Sequence, residues 1–370
     1  MSEVRSVTII GIGLIGGSLG LALKQLARVE HVSGVARKQK SLDSARIIGA
    51  IDAGYLDPAE AVGDADIVFI ATPVSSIVDM AKQVIPHMKE GAILTDVGST
   101  KETIVKEIEK AIEPGIHFIG GHPMAGSEMS GVEAANRDLF RNCSYILTPT
   151  GKTDLNALKL LYNLLSRTGA RILSLDPQAH DRVAATVSHL PHILAAGLVN
   201  LASEEKEEYE SIFQIAAGGF YDMTRIAASD HNIWVDICLE NRKSILDILG
   251  DFETGLDEVK SLIAASDREG LVAWFESASD VRKRLKSGKP SEVDVYNLLI
   301  AIPNKPGVLS EITLAIGKIG INIEDVQIVH TTEGDTGVLK LAVFGKDEAD
   351  RAAAILREKG YTLSVEGRFL

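Results

Sequence analysis

"VTIIGIGLIGGSLG", residues 7–20, passes from a β-rich run into an apolar helical stretch across glycines spaced G-x-G-x-x-G. Each glycine has a physical task at such a crossing. Gly11 makes the tight turn out of the strand, Gly13 lets the backbone approach a pyrophosphate, and Gly16 lets helix and strand pack closely. The first N–H groups of the helix, beginning at Leu14 and Ile15, have no partners within it and are free to meet phosphate oxygens. The spacing alone is a weak signal. Placed between a strand and an apolar helix, it reads as a dinucleotide site rather than a purely structural turn.

The rhythm around this turn extends the same reading. "HVSGVA" (31–36), "DADIVFIATP" (64–73), "GAILTDVG" (91–98), "IHFIGG" (116–121), "SYILTPT" (144–150) and "ARILSLD" (170–176) are apolar strands. Helical stretches separate most of them, which implies a mostly parallel sheet covered on both faces. A Rossmann-type α/β domain over residues 1–176 is expected. At Asp176–Pro177 an N-cap acceptor precedes proline at the first helical position. From there the pattern is helical with no convincing strand, giving an all-α domain over 177–288. "EEKEEYE" (204–210) reads as a solvated helix end, and "KSGKPSEVD" (286–294) as a polar linker. Residues 294–370 run strand, helix, strand, strand, helix, strand, a ferredoxin-like βαββαβ order.

Length and composition agree with several well-filled cores: 370 residues, 45% of them hydrophobic. A net charge of −13 disfavours nucleic acid as a partner. Two cysteines, Cys143 and Cys238, supply no disulfide framework and no metal spacing. No apolar run approaches 18 residues without polar interruption, so no membrane span is expected. The N-terminus enters a strand within a few residues and leaves no room for a signal peptide. A cytoplasmic globular protein is the expectation.

The second strand bears on cofactor choice. An NAD site calls for Asp or Glu about 20 residues beyond the glycines, to bond the ribose 2′-OH. Here "HVSGVA" runs into Arg37 and Lys38, and no carboxylate comes before Asp43. A cationic pair suits a 2′-phosphate, so both NAD and NADP stay open, beside the ordinary reading of two solvated surface cations.

In open parallel sheets ligands bind beyond the carboxyl ends of the strands. Thr72–Pro73, "DVGSTK" (96–101) and "GGHPMAGSE" (120–128) are three such ends. His122 then sits where a hydride-transferring enzyme needs a group to take a hydroxyl proton, and imidazole titrates in the right range. A loop histidine is more often an ordinary turn or surface residue, and position alone leaves both readings open. "SHLPH" places His189 and His192 three apart, with Pro191 between them, and no third metal ligand appears. In "GGFYDMTRIAASD" (218–230) Gly218 and Gly219 mark a turn, and Arg225 can grip a carboxylate through a bidentate fork or pair with Asp222.

"GIGLIGGS", "TDVGSTK", "GGHPMAGSE", "SHLPH" and "GGFYDMTRIAASD" followed by Trp234 and "EN" (240–241) together resemble the prephenate dehydrogenase family of tyrosine biosynthesis. The resemblance covers residues 7 to about 285. It implies oxidative decarboxylation of a cyclohexadienol, prephenate or arogenate, with hydride passing to NAD or NADP and no metal. It further implies that His122 is the base, that Ser99 assists at the ring hydroxyl, and that Arg225 holds a substrate carboxylate. His192, Ser127 and Glu128 would line the pocket, Gly218 would give a backbone contact, and the helical part would form a homodimer. Two departures stand out. The acidic residue usual in NAD-using relatives is missing, and Tyr221 occupies a position that is basic in many of them.

"IPNKPGVLSEIT" (302–313) and "GINIEDV" (320–326) resemble an ACT domain. That implies a regulatory module that binds an amino acid through the turn Asn304, Pro306, Gly307, Val308 and Leu309, with tyrosine as the logical effector. It also implies pairing that can raise the assembly above a dimer; a pairing module without ligand is the plainer alternative. Two other readings compete. A β-hydroxyacid dehydrogenase would need a lysine in a glycine-rich helical context, which is not found. A non-catalytic nicotinamide and amino-acid sensor would have no use for His122, Ser99 and Arg225 together.

Overall fold

In the computed structural model the sheet grows outward from β1 (Ser6–Ile10), which pairs in parallel with β2 (His31–Val35) on one side and β4 (Ile67–Ile70) on the other. The structure describes all residues except 1–3, 127, 128, 130, 287–294, 304, 324, 331–335 and 368–370. β3 (Ala53–Tyr55), β5 (Ile93–Asp96), β6 (His117–Pro123), β7 (Ser144–Thr148) and β8 (Arg171–Ser174) complete an eight-stranded sheet of order β3-β2-β1-β4-β5-β6-β7-β8. Every pairing is parallel but one: β7 runs antiparallel to β6.

Alternation along the strands explains the two covered faces. Val7, Ile9, Ile67, Phe69 and Ile93 join one buried core, and Ile10, Val68, Ile70 and Leu94 join the other. Successive side chains of a strand point to opposite faces, so strands buried on both must be apolar throughout. β4 is fully buried along its length.

The helices start where the sequence places caps. The Asp176 carboxylate accepts from the N–H groups of Gln178 and Ala179 at 2.9 and 3.2 Å and opens the Pro177–Ala184 helix. A π-helical segment, Ala185–His189, joins this helix to the next, Leu190–Glu205. Pro191 stands in the first turn of the second helix, directly after the π-helical segment; widened turns of this kind gather at functional sites. The stretch 177–205 is long and apolar enough to cross a membrane by length and composition. Its buried His180, Asp181, His189 and His192 tie it to the protein interior instead.

One expectation needs correction, and one strand is unanticipated. Gly218 and Gly219 do not form a turn but open the Gly218–Thr224 helix. The three-residue strand β3 lies at the edge of the sheet, too short to leave a hydrophobic pattern.

The chain separates into two compact units, Met1–Gly255 and Leu256–Leu370. Within the second, β9 (Val295–Pro303), β10 (Asp325–His330), β11 (Thr336–Phe344) and β12 (Leu363–Gly367) form an antiparallel sheet of order β10-β11-β9-β12. The Val308–Lys318 and Lys346–Glu358 helices complete the expected βαββαβ order around a core that includes Leu298, Ile300, Ile316 and Leu356. Gly307, at φ +90°, caps the first of these helices in a left-handed conformation. Pro306, Gly307 and Leu309 are exposed and Val308 is half-buried. Asn304 and the linker residues 287–294 lie outside the described residues.

Candidate active site

Three strand ends meet around the turn at Gly11. Its φ is +102°, and a Cβ there would come within 2.4 Å of the Ala71 carbonyl oxygen, so the chain can pass the end of β4 only as glycine. A Cβ on Gly16 would lie 2.1 Å from the Gly11 oxygen, which fixes the helix against the turn. Gly13 differs. Its Cβ position meets nothing within 4 Å, and Gly13 caps the Leu14–Leu23 helix without a side-chain bond. That cradle, at a helix end with no acidic residue in its first turn, fits a pyrophosphate. Leu14 and Ile15 are half-buried beside it. Thr72, next to Gly11, has a buried hydroxyl oxygen without a partner, and Pro73 is exposed. Arg37 and Lys38 are both exposed just beyond the end of β2.

β6 carries the histidine farther than the glycine-rich sequence implies. His122 lies within the strand, paired in register with Ile146, and not in a loop after it. Antiparallel pairing with β7 extends the strand through Pro123. The glycine before the histidine makes this passage fit, because a Cβ on Gly121 would stand 2.7 Å from the backbone oxygen of Asp96.

Around His122 the structure gathers polar groups that sequence reading did not single out. His122 Nδ1 lies 2.8 Å from His180 Nε2, and His180 Nδ1 lies 2.8 Å from Asp181 Oδ1. Asp181 accepts from the backbone N–H of Lys101 at 2.6 Å and of Glu102 at 2.9 Å, where the Glu102–Ala111 helix begins. The Lys101 ammonium pairs with Asp96, and both side chains are fully buried. Asp96 also accepts from the N–H groups of Gly98 and Gly121 at 2.8 and 3.2 Å. Burial, then the neighbouring His180, Lys101 and His189, hold His122 well below the usual imidazole range. Burial pulls the Lys101 ammonium down as well, against the attraction of Asp96.

His192 stacks on Trp234 with ring centres 3.5 Å apart, and burial lowers its pKa. His189 meets the same indole edge-on, and burial pushes it down to about 4. Asn241 Nδ2 donates to the Asp181 carbonyl at 2.8 Å and lies 3.1 Å from His189 Nδ1. Thus Trp234 and Asn241, quoted in the sequence only as parts of a motif, hold the histidine pair. No group of three or more metal-ligating side chains occurs among the described residues. Ser99 is half-buried in the loop after β5, between Gly98 and Lys101. Arg225 is exposed at the start of the Arg225–Ala228 turn, which packs on the helix carrying His192. Gly218 and Tyr221 are exposed as well, and Ser127 and Glu128 lie outside the described residues. The buried chemistry therefore collects at His122, while the carboxylate-binding candidate Arg225 is exposed.

Comparison with known proteins gives this arrangement a lineage. Residues 19–174 match the profile of the prephenate dehydrogenase nucleotide-binding domain, 176–277 its dimerization domain, and 298–360 an ACT domain like that of the AHAS small subunit. The first match begins after the glycine turn, so that turn rests on its own geometry. A prephenate dehydrogenase of Bacillus subtilis is 36% identical over 355 residues, covering 95% of this chain and 96% of the relative. A crystal structure of prephenate dehydrogenase from Aquifex aeolicus, in complex with hydroxyphenyl propionate and NAD+, is similar at a TM-score of 0.73 and 33% identity. It spans 77% of this chain and 99% of that one. Synechocystis arogenate dehydrogenase follows at 0.68 and 30%, spanning 76% and 100%. With its nucleotide-binding, dimerization and ACT segments in that order, the chain belongs to the prephenate dehydrogenase family.

Proposed function

We propose that this protein is a cytoplasmic NAD(P)-dependent dehydrogenase that converts prephenate to 4-hydroxyphenylpyruvate and CO2, with His122 as its base. One observation carries the reading: His122 is buried on β6, in the sheet whose β1 runs into the glycine turn, and its Nε2 bonds to no other described residue. The bound nicotinamide supplies the hydride acceptor. The chain's own residues do the rest. His122 takes the ring hydroxyl proton as the carbinol carbon loses hydride, and the bond to the ring carboxylate breaks to release CO2. The electron pair of that bond restores aromaticity, and the proton returns to the phenolic oxygen. Ser99 assists at that oxygen, Arg225 holds a carboxylate, and His192, Ser127, Glu128 and Gly218 complete the pocket. Gly11, Gly13, Leu14, Ile15, Gly16, Thr72 and Pro73 hold the cofactor. The three functional segments are residues 1–176, 177–288 and 294–370.

Cofactor choice is assigned to Arg37 and Lys38. A charged hydrogen bond to a 2′-phosphate contributes about 1.5–3 kcal/mol, or roughly 10- to 100-fold in affinity. Arg37→Ala should therefore raise KM for NADP by at least about tenfold and leave KM for NAD nearly unchanged. Following reduced-cofactor absorbance with prephenate or arogenate, and with NAD or NADP, tests function and cofactor together. Faster turnover of arogenate would move the assignment to that substrate, and no turnover with any pair would favour a sensor.

The helical segment reads as a dimer surface. Val187, Leu201, Ile215, Met223, Leu239 and Leu246 are large apolar side chains each more than half exposed. For the ACT segment, the exposed turn at Pro306–Gly307, together with Asn304, Val308 and Leu309, is assigned to tyrosine. Removing residues 294–370 should abolish tyrosine inhibition while turnover persists; undiminished inhibition would place tyrosine at the active site as a product mimic.

A further inference from the structure

We propose that Asp181 and His180 are a positioning pair that sets the tautomer of His122, placing its proton on Nδ1 and presenting a bare Nε2 to the substrate hydroxyl. The inference rests on the reading of His122 as base and adds the groups that prepare it. It follows from counting donors along one chain of contacts.

Backbone N–H groups of Lys101 and Glu102 donate to the two oxygens of Asp181. With both oxygens already accepting, the carboxylate has only lone pairs to offer. His180 Nδ1, at 2.8 Å from Oδ1, must therefore donate. A neutral imidazole has one donor and one acceptor, so His180 Nε2 accepts. Its partner at 2.8 Å is His122 Nδ1, which must carry hydrogen. His122 Nε2 is then the free base. The reverse polarity would put hydrogen on Nε2 and leave His122 unable to take the hydroxyl proton.

The surroundings hold this polarity in place. His180 is fully buried and Asp181 nearly so, which keeps competing water from either ring nitrogen of His180. Asn241 fastens the Asp181 backbone at 2.8 Å. When the hydroxyl O–H bond breaks and an N–H bond forms at Nε2, the new positive charge on His122 faces the Asp181 carboxylate across His180. As the proton returns to the phenolic oxygen, the ring recovers the tautomer it began with. His180 and Asp181 exchange no proton with substrate and are not catalytic residues in that sense.

Asp181→Asn puts an amide N–H where an acceptor is needed, either toward His180 or toward Glu102. Where an orienting carboxylate is replaced in this way and a catalytic histidine is left in the wrong tautomer, kcat falls by up to about 10⁴. Here the drop in kcat should be at least about 100-fold, with KM for either substrate within about threefold. His180→Gln keeps an oxygen to accept from His122 and an N–H to donate to Asp181, whereas His180→Leu keeps neither. The glutamine variant should retain at least about ten times the kcat of the leucine variant. Nitrogen-15 NMR of histidine-labelled protein, with the His122 signals assigned by their loss in His122→Asn, should show hydrogen on Nδ1 and none on Nε2. Hydrogen on Nε2 in the wild type would overturn the proposal whatever the activity. Equal losses in the glutamine and leucine variants would also overturn it, by making His180 a packing residue. The expected tautomer combined with full turnover of His122→Asn would instead remove the base reading beneath it.

Discussion

His122→Asn is expected to lower kcat by about a thousandfold, within the 10²–10⁴ that a positioned general base contributes. KM for substrate and cofactor should change little. The asparagine amide can still donate to His180 Nε2, so the buried contact survives while the basic nitrogen is lost. Steady-state rates of cofactor reduction on wild type and variant measure the ratio directly, and a loss smaller than about tenfold would deny His122 the role. The pH profile provides a second check. His122 must be neutral to accept a proton, and burial with the nearby Lys101 charge disfavours its charged form. Its folded pKa is thus depressed, so its neutral form persists as pH falls below the ordinary histidine range. The acid limb that His122 contributes to kcat/KM should lie below pH 6.5, and should vanish in the asparagine variant.

Much of this arrangement could be read locally. The glycine turn, the Asp176–Pro177 helix start and the alternating strands are short-range consequences of sterics and hydrogen bonding, and each appears where the residues place it. Of the candidate site, the sequence singles out His122 but not the buried groups that bond around it. "GGHP" reads as a loop because its strand character comes from β7, some 25 residues on, which pairs with it. His180 and Asp181 sit 58 and 80 positions from the groups they bond, His122 and the Lys101 backbone. One signal was available. An adjacent His–Asp pair in the first turns after a capped helix start is costly to bury without a purpose, and "DPQAHD" contains one. Lys101, at the end of "TDVGSTK", carried no such hint, since lysine is almost never fully buried unless paired. Its partner Asp96 lies in the same motif, and only the bend of the chain between β5 and the following helix turns the two toward each other.

That buried pair should be where the nucleotide-binding unit is most sensitive to a single charge. Lys101 and Asp96 are both fully buried, and Asp96 also anchors the N–H groups of Gly98 and of Gly121, the residue before His122. Removing one partner of such a pair leaves an uncompensated charge and typically costs 3–5 kcal/mol. Lys101→Met should therefore destabilise the protein by about that amount. In a unit of this size it lowers the melting temperature by roughly 6–20 °C, at about 2–4 °C per kcal/mol. The double variant Lys101→Met with Asp96→Asn should recover part of the loss, because the charge left behind by the first change is gone, although the neutral amide replaces one acceptor with a donor. Thermal denaturation of the two single variants and the double variant gives the coupling between the sites. Losses that simply add would mean the pair is held by its separate backbone bonds and not by charge. Coupling of several kcal/mol would make this ion pair the device that fixes the end of β5 against β6, and with it the direction in which His122 points.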